Sequence, residues 1–339
     1  MAVTIYDVAK LAQVSVTTIS KILNHKDYDI SDETRQRVLD AIKETKFTPN
    51  GLARSLVTKR TNVLGLLIPD ISNQYFADMA RGVEDGANRL GYNVMLCNTD
   101  ENSKKQQEYL NILKGRCTDG VIIVPIAGSD TVFSSDFDME KPFVVLDRVY
   151  KSKKGVYQVK FDNVRGGYLA TKYLLEKGHT RIGLISGPPE ERTVKDRLKG
   201  YKKALKEFGL KFDKSIVFNG NYKFDSGVAG AKFLLKTDIT AIFAFNDLMA
   251  CGAYKAISSI GLKIPEDISI LGYDDVMLSD VLDPPLTTIS QPKYEMGKVA
   301  ATMLINQLNN VEQDYERTFE PELIERKSVR CLFPKTPKA

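Results

Sequence analysis

Carboxylate, amide and aromatic side chains gather directly after several apolar runs of this sequence: within residues 70–76, at Asp147-Arg148, at Asn246-Asp247 and at Asp274-Asp275. The first of these groups carries Asn73, Tyr75 and Phe76. Carboxylates, amides and guanidinium groups form two-pronged hydrogen bonds, while an aromatic face packs against C–H groups. Together they suit a sugar, whose ring has apolar faces and a hydroxyl edge. Asp and Asn at strand ends are also ordinary turn formers, so the set carries the reading and no single position does.

Catalysis finds no comparable support. The sequence has no Gly-x-x-x-x-Gly-Lys-Ser/Thr phosphate loop, no Gly-x-Ser-x-Gly elbow and no dinucleotide glycine spacing. Its two histidines, His25 and His179, fall in different predicted domains, so no nucleophile–base pair assembles from them. The four cysteines, Cys97, Cys117, Cys251 and Cys331, are scattered without metal or redox spacing. No cofactor or metal site is expected.

The elements that must hold these groups follow from periodicity. From Asn62 onward, apolar runs at 63–68, 93–96, 120–124 and 143–146 alternate with helices from about Tyr75 and Ser103. After Phe161 the rhythm restarts, with runs at 182–185, 215–218, 241–244 and 268–271 and helices from about Asn163, Val194, Ser226 and Leu248. Continuous apolar strands spaced by helices predict parallel sheets covered on both faces, and two such series predict two similar lobes. Ligands of open parallel sheets sit beyond the carboxyl ends of the strands, where the polar groups stand.

Residues 1–48 read differently, as three short helices. Ile5, Val8, Ala9 and Ala12 share one helical face, and Ile19, Ile22 and Leu23 another. Ser15 is placed to cap the second helix, and Ser31 the third, which carries Val38 and Ile42. Between 46 and 61 stand Lys46, Arg54, Lys59 and Arg60 with no acid, although the net charge of the whole chain is only +5. A local basic stretch favours phosphate contact; a basic linker is the plainer alternative. The N-terminus shows no secretory pattern, and no apolar run approaches the roughly 20 residues that span a bilayer, so a cytoplasmic protein without a membrane partner is expected.

Residues 4–24, with Asp7-Val8-Ala9, the turn ending Val14-Ser15 and a hydroxyl-rich second helix, resemble the DNA-binding start of the lactose-repressor/galactose-repressor family. The segment Pro49-Asn50-Gly51-Leu52-Ala53-Arg54-Ser55-Leu56 is similar to that family's hinge helix. The resemblance implies an all-α helix-turn-helix head at 1–48, a hinge at 49–61 and a two-lobed α/β periplasmic-binding-protein-like core at 62–332. Lobe 1 would take about 62–161 plus 293–320, and lobe 2 about 162–292 plus 321–332. It implies a homodimer on pseudo-palindromic double-stranded operator DNA. Val16, Thr17 and Lys21 would face base edges, Ser15, Thr18 and Asn24 phosphates, with Asn50 and Arg54 adding hinge contacts and Leu56 wedging into the minor groove.

For the core, the resemblance extends the ligand set Asn73, Tyr75, Phe76, Asp147, Arg148, Asn246 and Asp274 to Phe161, Arg197, Tyr222 and Gln291, and implies a small sugar effector such as ribose. Residues 191–193 depart from the pattern of purine-responsive members. The Asp147-Arg148 pair departs from that of catabolite-control members, which a phosphorylated carrier protein switches. A regulator of that partner-controlled kind is the alternative.

Overall fold

The computed structural model describes residues 3–23, 27–48, 60–126, 141–148 and 155–333. The chain divides into two compact units, Met1–Thr61 and Asn62–Ala339.

The described part of the first unit has three helices, α1 (Ile5–Ala12), α2 (Val16–Leu23) and α3 (Asp32–Thr45). A capping box formed by Thr4 and Asp7 starts α1, and Gln13 ends it in the left-handed region. The Ser15 hydroxyl accepts from the Thr18 amide at 3.1 Å at the head of α2. Ser31 does the same for Thr34 in α3. Val8, Ala9, Ala12, Ile19, Ile22, Val38 and Ala41 form the small core, with Leu23 and Ile42 only partly buried against it.

The second unit holds two six-stranded sheets. The first has the order β11 (Glu316–Phe319), β5 (Tyr157–Phe161), β4 (Phe143–Asp147), β3 (Gly120–Ile123), β1 (Val63–Ile68), β2 (Asn93–Asn98). All its pairs are parallel. The second runs β12 (Glu322–Ile324), β10 (Thr287–Ser290), β9 (Ser269–Asp274), β8 (Ala241–Ala244), β6 (Ile182–Ser186), β7 (Val217–Asn219), and only β12 is antiparallel to its neighbour. Along β1, Leu64, Leu66 and Ile68 face one apolar layer and Leu67 the other, as a strand covered on both faces requires.

Helices α4 (Gln74–Asn88), α5 (Ser103–Ile112) and α11 (Lys293–Leu308) belong to the first lobe. The second has α6 (Asn163–Glu176), α7 (Arg192–Glu207), α8 (Phe224–Leu234), α9 (Asp247–Ser259) and the one-turn α10 (Leu278–Val281). The chain crosses between lobes after β5, after β10 and between β11 and β12, so each lobe is discontinuous in sequence. Strands β5, β10, β11 and β12 and helix α11 are absent from the periodicity reading. The strands are three to five residues long, and those of the edges are half-exposed, which leaves no continuous apolar run to detect. Of the strand expected at 215–218, residues 215 and 216 instead belong to a 3-10 turn (Lys214–Ile216) that precedes β7.

Candidate functional site

A cleft with about 600 Å³ of empty space, part of it open to solvent, lies at the carboxyl ends of the strands of both sheets. Asn73, Tyr75, Phe76, Asp147 and Arg148 come to it from the first lobe, and Arg197, Tyr222, Asn246 and Asp274 from the second.

Local structure explains each placement. Asn73 caps α4, its side chain accepting from the Tyr75 amide at 3.1 Å, which fixes Tyr75 and Phe76 in the first turn. Their rings meet edge to face at 5.1 Å. Asp147, Tyr222 and Asp274 have φ of 69°, 63° and 115°, the left-handed region that non-glycine residues rarely enter. Such strain costs on the order of 1–3 kcal/mol per residue and gathers at functional sites. Here it turns the chain sharply where strands meet the cleft.

A buried hydrogen-bonded chain links the lobes. The Tyr75 hydroxyl donates to Asp147 Oδ1 at 2.7 Å and lies 3.3 Å from Gln291 Oε1. Gln291 Nε2 donates to Asp274 Oδ1 at 2.7 Å. Arg197 stacks on Tyr273 at 3.7 Å, donates through Nε to Asn163 Oδ1 at 2.8 Å and through Nη1 to the Phe245 carbonyl. Nη2 makes no hydrogen bond among the described residues, so it is available to a ligand.

Two residues of the expected set lie behind the cleft wall. Phe161 is buried and packs edge to face on Tyr273 at 6.2 Å. Gln291 bonds Tyr75 and Asp274 from the crossing segment. Asn246 lines the cleft but caps α9 through the Met249 amide and donates to the Tyr222 carbonyl at 2.9 Å, so much of its amide is committed. Asp247 is a buried structural hub, accepting from Ser279, Thr288 and the Val276 amide.

Asp70, of the polar group 70–76, lines the cleft too, and so do Glu101, Thr193, Asn221, Lys223 and Leu248, which the sequence reading did not place there. The rule of reading residues after each strand finds Glu101 when applied to β2, which the polar run 98–102 follows.

Burial pushes the Asp147 carboxyl above its ordinary range, against the Tyr75 hydroxyl bond and the Arg148 charge. Asp274 moves the same way, burial outweighing Arg197 and the Gln291 bond. A folded-state pKa above the unfolded value means that the native state keeps its proton longer. The stability this contributes is complete below the ordinary carboxylate range and is lost as pH rises through the folded pKa. Asp274→Asn, neutral at every pH, is therefore expected to gain stability relative to wild type as pH rises from acid through neutrality. Melting temperatures measured across that range test this, and a pH-independent difference between the two proteins rejects it.

In the head, Thr17 is exposed on α2, whereas Val16 is half-buried and packs on the helical core rather than standing free. It is the first residue of α2 and packs against the cluster to which Ile19 and Ile22 belong. Ser15 and Thr18 share the cap through hydroxyls 2.9 Å apart. Lys21 forms an exposed ion pair with Asp29, which must open before it touches a base or phosphate. Asn24, Asn50, Arg54 and Leu56 lie outside the described residues, as do Lys59 and His25. His179 is buried between Thr240 and the Arg330 carbonyl, a structural role.

Residues 61–328 match the family described as periplasmic binding proteins and sugar binding domain of LacI family, and residues 4–50 match bacterial regulatory proteins, lacI family. The chain belongs to the LacI family. It is thus a DNA-binding transcriptional repressor of that family and not an enzyme. Among LacI-family relatives, a ribose operon repressor of Halalkalibacterium halodurans is 39% identical over 330 residues, covering 96% of this chain and 97% of its own. The transcriptional repressor PurR of Aliivibrio salmonicida is 37% identical over 334 residues, covering 97% and 99%. A LacI-family regulator from Enterococcus faecium with bound ribose superposes with a TM-score of 0.73 at 34% identity, covering 80% of this chain and 100% of that one. The Lac repressor dimer bound to operator and an anti-inducer gives 0.87 at 27% identity, covering 97% and 100%. Among the described residues no helix is long and apolar enough to cross a membrane, and no cluster of metal-ligating side chains occurs.

Proposed function

We propose that this LacI-family repressor acts as a homodimer on a pseudo-palindromic operator and is controlled by a small neutral sugar, a ribose-like pentose first, bound in the interlobe cleft. The observation that carries this is the hydrogen-bonded chain from Asp147 through Tyr75 and Gln291 to Asp274, which links groups of both lobes at the cleft. A ligand among these groups touches both lobes at once and so favours one interlobe arrangement. It shifts operator affinity only by its differential affinity for the two arrangements, typically about 1–3 kcal/mol or roughly 5- to 150-fold. Tyr75, Phe76 and Tyr222 supply the apolar face, and Asp147, Asp274 and the free Nη2 of Arg197 the hydroxyl partners. The ribose named for one relative and bound in one structural neighbour supports the pentose.

In the head, Thr17 and Lys21 read base edges and Ser15 and Thr18 meet phosphates, while Asn50, Arg54 and Leu56 act from the hinge. Calorimetry with ribose, followed by operator titration at fixed salt with and without it, tests the reading. Heat on mixing and release of operator are expected. No heat with ribose or any other simple sugar, together with binding of a purine base or of a phosphorylated carrier protein, would replace this effector with that one.

A further inference from the structure

Asp274 ends β9, and with Asp275 it forms a turn that other parts of the chain must hold. Their φ values of 115° and 54° put two successive non-glycine residues in the left-handed region, a conformation that persists only where the surroundings over-determine it. From within the second lobe, Arg326 Nη2 donates to Asp275 Oδ1 at 2.8 Å. Two further grips come from the crossing between the lobes. Gln291 Nε2 donates to Asp274 Oδ1 at 2.7 Å, and Lys293 Nζ donates to the Asp275 carbonyl at 2.7 Å and the Asp274 carbonyl at 3.2 Å. Gln291 and Lys293 flank Pro292 in a tight bend, the Lys293 amide donating to the Gln291 carbonyl at 2.8 Å. One side chain takes the carboxyl of Asp274 and the other its main chain.

Lys293 breaks a local rule where it stands. It is the first residue of α11, a helix of 16 residues, and the helix dipole disfavours a cation at that end. Its side chain is only 12% exposed, and a buried ammonium needs acceptors for its three protons. Two go to the carbonyls, and Asp78 Oδ2 faces the same nitrogen at 3.8 Å. Asp78 follows Tyr75 by three residues on α4 and so shares its side of that helix. One ammonium thus meets the turn that carries Asp274 and the first-lobe helix that carries Tyr75. Lys293 is not among the residues lining the cleft; it lines a separate groove with Asp78, Arg81 and Tyr294. Burial pushes the Asp274 carboxyl up, and the Lys293 charge is one of those that oppose it.

We propose that Lys293 is a positioning residue, which clamps the Asp274–Asp275 turn of the second lobe to Asp78 of the first and so sets the aim of the Asp274 carboxyl at the effector. The ligand half of this rests on the effector reading above; the clamp itself does not. Without the ammonium the turn loses two charge-assisted bonds and relaxes, and a carboxyl displaced by about 1 Å no longer meets its hydroxyl well.

Amide exchange, read by mass spectrometry on the full chain without ligand, and ribose calorimetry test the clamp in wild type, Lys293→Met, Asp274→Asn and the double variant. Melting curves establish folding, and Lys293→Gln, which keeps a neutral donor, replaces Lys293→Met should that protein not fold. In Lys293→Met, exchange should rise about 10-fold within residues 274–278 and keep the wild-type rate in β6 and β8, since a local opening exposes one segment and a global one exposes all. Ribose should bind about 10-fold more weakly to each single variant. The double variant should lose about as much as one single variant, far from the ~100-fold product, because residues that act through one contact are not additive. Wild-type exchange at 274–278, or a rise shared by the whole core, overturns the clamp. Losses that multiply in the double variant, or unchanged ribose affinity in folded Lys293→Met, overturn its action through Asp274. No ribose binding by wild type sinks the ribose assignment, and the exchange contrast alone then decides the clamp.

Discussion

Gly200→Ala is expected to destabilise the core by about 3 kcal/mol or more and to weaken effector binding with it. A Cβ at position 200 would stand 2.0 Å from the Val164 carbonyl and 2.5 Å from the Tyr168 amide, and one at Gly167 would stand 2.1 Å from the Arg197 carbonyl. Helices α6 and α7 therefore touch backbone to backbone. Overpacking typically costs about 1–3 kcal/mol where side chains can yield; here the obstacle is main chain, which puts the cost at or above the upper end. Moving α7 away from α6 also carries Arg197 off Asn163 and the Phe245 carbonyl. Urea denaturation and ribose calorimetry measure both effects, and a variant with wild-type midpoint and affinity would show that the contact yields without cost.

Arg197→Ala should eliminate the ribose response while the ligand-free protein still binds operator below its melting temperature. The substitution strands the Phe245 carbonyl, takes one of two donors from Asn163 Oδ1, which keeps the Tyr273 hydroxyl at 3.3 Å, and removes a nearby positive charge from the Asp274 carboxylate. Removing one member of such a buried network costs on the order of 3–5 kcal/mol, so a lower melting temperature is expected as well. The head packs its own apolar core, and operator contact is therefore expected to survive. Arg197→Lys separates charge from shape: an ammonium restores part of the stability but not the planar fork that bonds Asn163 and a ligand together. A normal ribose response of the operator complex in Arg197→Ala would remove this residue from the effector site.

The sequence was most legible where one side chain and its near neighbours decide the outcome. Ser15 and Ser31 cap helices because a hydroxyl just ahead of an amphipathic run finds the free amides three residues on. The central strands could be read because burial on both faces demands an unbroken apolar run. Edge strands β11 and β12 make no such demand, and their pairing partners lie more than 30 residues away in the chain or across a lobe crossing. The polar cleft residues were legible as a set, since strand ends face the ligand side of a parallel sheet. Their individual duties were not. Arg148 turned inward to Glu101, Asn246 to its own helix, and Phe161 and Gln291 took places behind the wall.

The sequence alone determined the division into a helical head and a two-lobed α/β core, the parallel character of the sheets, and the class of group presented at the strand ends. Hydrophobic period, caps and turn residues are local quantities, fixed by covalent neighbours. Tertiary structure decided which polar groups remain free. Arg148 and Glu101 are 47 residues apart and Glu191 lies farther on still, yet these three share one small volume, because ion pairs form wherever packing brings opposite charges together. The same holds for the glycine contacts. Gly167 with Gly200, Gly82 with Gly297 and Gly227 with Gly252 each let two helices approach closer than a Cβ allows. Nothing in the spacing of a glycine along its own helix says which backbone will come to rest against it.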